Sequence, residues 1–307
     1  MAQPARRLGP GTVAVVTGAA GGLGSAICGA LEGRGVRVIA TDAPGVSGVD
    51  RSLDVTDPGA ARALAEEARP DVWVNNAGLL GTAHALDQPD DEIRRVVEVN
   101  LLGVITGTRA AASVMVPRHR GVILNVGSLS AWNPTPGLAV YSATKHGVRA
   151  YSGAVAAELA GTGVLVTCLC PDGIWTPMLQ GALDADSATM PFSGRRLLEA
   201  DEVAAVAVRL LEGRRLVASL PAGRAVLAKM SGLWPRLGVL TRAPTERQGR
   251  RNQARYRARL GGPPAPRAST TGPTGDPTPP ATEEPALMTD QSATTVPSTG
   301  SPSGGAT

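Results

Sequence analysis

Ser128 is followed thirteen residues on by Tyr141 and one helical turn further by Lys145, a set able to exchange a proton with an alcohol or carbonyl oxygen. Tyr141 and Lys145 stand in Tyr141-Ser142-Ala143-Thr144-Lys145, an i,i+4 pair that a helix places on one face. A phenol titrates near ~10 and exchanges protons poorly at neutral pH, so a fixed ammonium beside it is expected to stabilise the phenolate and lower that value. A hydroxyl such as Ser128 could hold a substrate oxygen against the phenol, the proton-transfer half of a carbonyl/alcohol redox reaction. Alone, the pair also fits an aromatic and a basic residue on a half-exposed helix, so the rest of the chain has to decide.

Near the N-terminus, the short β-branched run 12–16 leads into Thr17-Gly18-Ala19-Ala20-Gly21-Gly22-Leu23-Gly24 and then into the helix-like stretch 25–31. Strand, glycine turn and helix in that order are the context of a dinucleotide site: glycines let the backbone approach a pyrophosphate, and free N–H groups at the helix start face the anion. The spacing differs from GxGxxG, and a glycine-rich loop by itself also fits a plain βα turn. A second strand, 37–41, ends at Asp42. A carboxylate there can accept both ribose hydroxyls of NAD and would repel the 2′-phosphate of NADP. No Arg or Lys lies in the glycine loop or directly after Asp42, so NAD is the expected cofactor and NADP the less favoured one. Without the glycine loop, Asp42 would read as a turn residue after a strand.

These residues must be positioned by a larger pattern. Apolar runs near 12–16, 36–41, 70–74, 121–126, 164–170 and 215–220 alternate with helix-compatible stretches such as 58–69, 90–118 and 141–161. Such alternation predicts an α/β fold with a parallel sheet covered on both faces. The loops carrying Gly18, Asp42, Asn76, Ser128 and Pro171 then fall at the carboxyl ends of the strands, where open parallel sheets bind ligands.

In chain order, the glycine loop at 17–24, Asp54-Val55, Asn75-Asn76-Ala77-Gly78, Val99-Asn100-Leu101, Ser128, the Tyr141/Lys145 pair and Pro171-Asp172-Gly173-Ile174-Trp175-Thr176 resemble the short-chain dehydrogenase/reductase family. The resemblance covers about residues 10–220. It implies a Rossmann-like, doubly wound parallel sheet and an NAD(P)-dependent oxidoreductase acting on CH–OH groups. By the same resemblance, Thr17, Gly18, Gly22, Leu23 and Gly24 form the cofactor loop, Asp54 and Val55 contact the adenine, and Asn76, Ala77 and Gly78 support the sheet beside the cofactor. Asn100 is implied to hold a water in a proton relay, Ser128 to orient the substrate oxygen, Tyr141 to exchange the proton, and Lys145 to bind the nicotinamide ribose while tuning Tyr141. Pro171, Ile174 and Thr176 belong to the loop implied to fix the nicotinamide carboxamide. Asp172 departs from the family pattern, which has Gly after the Pro. The family's usual assembly implies a homodimer or homotetramer through the helices carrying Asn100 and Tyr141.

The expected organisation is an N-terminal arm (1–10), a catalytic domain (11–222), a basic and partly apolar extension (223–260) and a disordered tail (261–307) rich in Pro, Gly, Ser and Thr. Between Arg224 and Leu260 stand ten Lys or Arg against the single acid Glu246, interleaved with Val226, Leu227, Met230, Leu233, Trp234, Leu237, Val239 and Leu240. This extension reads either as a peripheral helix on an anionic membrane or as a helix packed beside the substrate pocket or a neighbouring subunit, followed by a solvated basic segment, with Pro235 breaking any continuous helix; packing is the expectation adopted. The pocket itself is expected from Leu79, Leu80, Trp132, Leu138, Met178, Leu179, Leu183, Met190 and Phe192, an apolar set suited to a hydrophobic alcohol or ketone. With a single Phe and few other aromatics, stacking on nucleic acid has no support. The longest apolar stretches fall short of a membrane span and the first residues lack a signal-peptide core, so a cytoplasmic enzyme is expected. Cys28, Cys168 and Cys170 read as small core residues, and His84, His119 and His146 lack ligand spacing, so no metal site is expected. The competing classes are a dinucleotide-binding sensor without turnover and a membrane-surface interaction protein.

Overall fold

A computed structural model describes residues 7–260; the expected tail at 261–307 and most of the N-terminal arm lie outside the described residues. Seven parallel strands form one sheet: β1 (Val13–Thr17), β2 (Arg37–Asp42), β3 (Arg51–Ser52), β4 (Val72–Asn75), β5 (Gly121–Val126), β6 (Val164–Pro171) and β7 (Val217–Leu220). Their spatial order is β3-β2-β1-β4-β5-β6-β7. Six of them lie on the apolar runs read from the sequence. The seventh, β3, is two exposed residues paired with Thr41 and Asp42 and carries no apolar signal.

The helices are α1 (Gly22–Glu32), α2 (Pro58–Ala68), α3 (Asp90–Val97), α4 (Gly103–Met115), α5 (Ala139–Glu158), α6 (Pro177–Gln180), α7 (Ala200–Glu212), α8 (Ala222–Leu233) and α9 (Pro235–Arg259). Successive strand residues point to opposite faces, so Val16, Val74 and Leu124 pack under α1 and α7 with Ile27, Leu31, Val203 and Leu211. Val15, Trp73 and Ile123 face the other way, onto Ala61 and Leu64 of α2 and Ala111 and Met115 of α4. Both faces are therefore buried, which is why the strands read as unbroken apolar runs rather than alternating ones. The winding reverses direction at β1, whose neighbours are β2 and β4, and a crevice opens at the carboxyl ends there.

The stretch 90–118, read as one helix, is divided into α3, a π-helical turn at Glu98–Leu102, α4 and a short 3₁₀ turn. By length and composition Asp90–Arg118 could cross a membrane, which corrects the reading that no stretch reaches that length. In the fold its apolar side is used on the sheet through Val104, Ala110, Ala111 and Met115. Gly107 is what lets α4 come so close, since a Cβ there would fall 2.8 Å from Trp73 Nε1 and closer still to Asn75 Oδ1.

At the C-terminal end the chain does break where Pro235 suggests, with α8 ending at Leu233 and α9 starting at the proline. Arg224 of α8 pairs through Nε with the carboxylate of Asp172, just past β6, and its Nη2 donates to Ser193 Oγ at 3.0 Å. Asp172 does not adopt a left-handed backbone conformation, so its side chain rather than its backbone explains the residue: burial pushes the carboxyl up from its ordinary value and Arg224 opposes that shift. Arg224→Ala leaves this carboxylate buried without its cation and should cost about 1–3 kcal/mol of stability at neutral pH. The deficit should shrink as pH falls and Asp172 takes up a proton, because a raised folded-state value favours the protonated fold at low pH. Thermal denaturation across pH checks both, with partial recovery expected in Asp172→Gly/Arg224→Ala.

Candidate active site

The cofactor half of the crevice is built on β1 and its glycine turn. Gly18 has φ +65°, and a Cβ there would lie 2.7 Å from Ala77 Cα, so only glycine lets the loop lie against the 76–78 segment. Gly24 is held as tightly, its added Cβ running into the Gly18 carbonyl. Asn76 secures the loop from beneath, its Nδ2 donating at 3.0 Å to both Thr17 O and Gly18 O. Helix α1 begins directly afterwards with Gly21 as its cap and no side chain bonded to its first amides. Those N–H groups are thereby available to an anion at the crevice.

Of the residues expected around the cofactor, Gly18, Gly22, Leu23, Gly24, Asp42, Asp54, Val55, Asn76, Ala77, Gly78, Tyr141, Lys145, Pro171, Ile174 and Thr176 all line one cavity of about 750 Å³. Thr17 does not. Its Oγ1 accepts from the amides of Asn76 at 3.0 Å and Ala77 at 3.1 Å, so it clips β1 to β4 behind the cavity wall. Asp42 accepts from Ala20 N at 3.0 Å and from Ala43 N at 2.8 Å, tying the glycine loop to the end of β2. Asp54 Oδ1 accepts from the amide and hydroxyl of Thr56 at 2.9 and 2.7 Å. A glycine cradle, open helix amides and a carboxylate at the far end, in one continuous cavity, fit a dinucleotide.

The other half is built by β5 and α5. Ser128 follows β5, its Oγ accepting from Ser130 N at 3.1 Å, and it lines the cavity together with Tyr141, which stands in the first turn of α5. One turn on, Lys145 reaches back under the ring, with Nζ 5.6 Å from the ring centroid and 2.9 Å from Val126 O. Asn100 stands behind them in the π-helical turn, a local widening of the kind helices use at functional positions. Its Oδ1 accepts from Leu79 N at 2.7 Å and its Nδ2 donates to Leu79 O at 2.8 Å. The Asn100 side chain is fully buried and clamps the Leu79 backbone instead of lining the cavity.

Burial dominates the electrostatics here. It pushes Tyr141 up to about 12, with the nearby Ser128 hydroxyl acting in the opposite direction. It also lowers Lys145 to about 8. The lowering of Tyr141 by Lys145 expected from their spacing is therefore absent in the protein alone: the ammonium is desolvated along with the phenol and is directed at the Val126 carbonyl.

The remaining wall is apolar and partly unexpected. Leu79, Leu80, Leu138, Met178, Leu179 and Met190 line the cavity as read from the sequence. Leu183 and Phe192 are turned instead into a small core behind the loop, and Trp132 packs under Arg149 and Lys229. Their places are taken by residues of the extension, among them Leu227, Ala228, Ser231, Pro244 and Gln248. Ala228 and Ser231, one turn apart and small, are the only hint of an inward face that the sequence carries. Helix α9 also latches the loop over the cavity. Asn252 Nδ2 donates to Phe192 O at 2.7 Å and Gly194 O at 2.8 Å, and the Tyr256 ring stacks on Trp175 at 4.9 Å.

A doubly wound parallel sheet with a glycine-rich βα turn and a Ser–Tyr–Lys group at its crevice defines a dinucleotide-binding oxidoreductase. The chain belongs to the short-chain dehydrogenase/reductase family, whose short chain dehydrogenase profile matches residues 12–187. It is 33% identical over 227 residues to momilactone A synthase of Oryza sativa subsp. japonica, covering 65% of this chain and 83% of that protein. It is 36% identical over 205 residues to cyclopentanol dehydrogenase of Comamonas sp., covering 61% and 82% respectively. A short chain dehydrogenase/reductase from Burkholderia phymatum, solved in complex with NAD, shares the fold at TM-score 0.66 and 22% identity, over 76% of this chain and 97% of that one.

The electrostatics make a direct demand. In a phenolate-absorbance titration of the cofactor-free protein, Tyr141→Phe should remove a component that ionises near 12. Loss of a component below ~10, the free-phenol value, would contradict it.

Proposed function

We propose that this protein is a cytoplasmic, NAD-dependent dehydrogenase/reductase of uncharged, largely hydrophobic secondary alcohols or ketones, working as a homodimer or homotetramer. The observation that carries the reading is the placement of Ser128, Tyr141 and Lys145 on the wall of one cavity that also holds the glycine loop and an apolar set of side chains. Gly18, Gly22 and Gly24 would hold the pyrophosphate against the start of α1, Asp42 the adenosine ribose, and Ile174 and Thr176 the carboxamide. When bound there, the nicotinamide supplies or takes up the hydride at the substrate carbon.

The side chains handle the oxygen. Ser128 and Tyr141 donate hydrogen bonds to it, fixing the carbonyl plane. In reduction Tyr141 passes its proton to the oxygen as the carbon is reduced; in oxidation its phenolate takes the hydroxyl proton. The ammonium of Lys145 stabilises the phenolate that results, and Asn100 keeps Leu79 and the adjoining wall in place. A phenol near 12 in the protein alone suits the reducing direction at neutral pH, since it is held protonated. The Arg224–Asp172 pair neutralises a buried carboxylate of the substrate half, leaving an apolar wall with few uncompensated charges among the described residues. Likeness to a cyclopentanol dehydrogenase supports cyclic secondary alcohols and ketones as the first members of a test panel.

Turnover of that panel, followed by nicotinamide absorbance with NAD and NADP in parallel, tests the reading. Tyr141→Phe should lose about 10²–10⁴-fold in turnover while NAD affinity stays within a few-fold, because only the exchangeable proton is removed. Asp42→Ala should shift the NAD/NADP preference about tenfold or more toward NADP, by removing a ribose acceptor and a repulsive charge. An unchanged ratio would reduce Asp42 to its observed role of tying the glycine loop.

A further inference from the structure

Helix α8 is oriented the wrong way round for a helix that only packs. Its buried residues are small, Ala225 and Ser231, whereas Val226, Leu227, Met230 and Leu233 form a stripe at i, i+1, i+4 and i+7 that faces outward. Leu233 is 74% exposed, and the stripe continues past the helix end through Trp234 at 60% and Leu240 at 77%. Isolated exposed leucines need no explanation, but a contiguous run on one element marks a contact surface.

The same two helices hold an uncompensated positive charge. Arg224, Arg242 and Arg257 are neutralised by Asp172, Glu246 and Asp184. Arg236, Arg247, Arg250, Arg251 and Arg255 are exposed and have no carboxylate partner among the described residues. In α9 the latch residues Gly249, Asn252 and Gln253 are buried, so the arginines fall on the solvent side. The stripe is also continuous with the cavity: Leu227 and Met178 line it and are themselves about half exposed, which makes its rim apolar.

We propose that α8 and α9 form a peripheral docking surface for an anionic phospholipid bilayer, set at the mouth of the cavity so that an apolar substrate passes from the lipid to Ser128 and Tyr141. Charge decides among the possible occupants. A second copy joined across a two-fold axis would bring the same basic helices toward themselves, whereas anionic headgroups complement them. The segment 261–307 has only Leu287, Met288 and Val296 as large apolar residues, too few to cover the stripe. A tryptophan flanked by leucines and arginines is the composition of an element that lies in the headgroup region without crossing the membrane. The two readings of the extension, packing and membrane contact, are thus two faces of the same helices.

The test uses the full chain in co-sedimentation with vesicles of phosphatidylcholine alone and of phosphatidylcholine mixed with phosphatidylglycerol. Binding is expected to the mixed vesicles and to weaken as salt is raised. Each arginine near such a surface strengthens binding about fivefold, so Arg247→Glu/Arg251→Glu should weaken it more than about tenfold, and Leu233→Glu/Leu240→Glu comparably. None of these residues lines the cavity, and unchanged melting curves would establish that the variants fold. Because binding is read without turnover, its outcome is separate from that of the proposed reaction. Absence of binding, equal binding to both vesicle types, or full binding by the variants would overturn the proposal. A fall in sedimentation-equilibrium mass for Leu233→Glu/Leu240→Glu without lipid would also overturn it, assigning the stripe to a second copy.

Discussion

A chain of buried amide and hydroxyl groups crossing the sheet is the interaction on which the site depends. Trp73 Nε1 donates to Asn75 Oδ1 at 2.8 Å, Asn75 Nδ2 to Asn125 Oδ1 at 2.8 Å, Asn125 Nδ2 to Ser152 Oγ at 2.9 Å, and Ser152 Oγ to Val148 O at 2.6 Å. Thr108 joins it from α4, donating to Asn125 Oδ1 at 3.3 Å. The chain ties β4 and β5 to α4 and α5, and α5 carries Tyr141 and Lys145. Leaving any one of these groups without its partner would cost about 1–3 kcal/mol, so the network holds α5 at one depth and rotation. Only at that depth does Lys145 reach the Val126 carbonyl.

The Asn100 clamp extends the same logic to the opposite wall. A buried carboxamide bonded to both the N–H and the C=O of Leu79 imitates one rung of a ladder, giving an irregular segment the backbone partners a strand would have had. Gly78 lies against it, where a Cβ would be 3.2 Å from Asn100 Oδ1 and 3.8 Å from Lys145 Nζ. The loop after β4, the helix carrying Asn100 and the Lys145 side chain are therefore packed as one unit.

The extension closes the other side of the site by different means. Its inner contacts are polar and directional: Arg224 on Asp172, Asn252 on two carbonyls, Tyr256 accepting from Leu197 N at 3.0 Å. Directional bonds fix the position of a segment whose small inward residues supply little apolar area, and they leave its larger apolar residues free to face outward. The Asp172 carboxylate, at a position where glycine would serve the backbone, is part of that attachment.

Much of this was legible in the sequence because it is local or periodic. The βα alternation, six of the seven strands, the glycine turn and the i,i+4 spacing of Tyr141 and Lys145 follow from rules that act over a few residues. The short strand β3 escaped because two exposed residues carry no pattern, and the π-helical turn because nothing in apolar periodicity announces one extra residue. Tertiary structure alone decided which side of the wall each residue took. Thr17 and Asn100 turned away from the cavity to satisfy backbone groups, while Leu183 and Phe192 went into a satellite core and Leu227 and Gln248 came in from the extension. The sign of the Tyr141 shift was also a tertiary matter, since spacing sets the distance to Lys145 but only burial sets how strongly water is excluded from both.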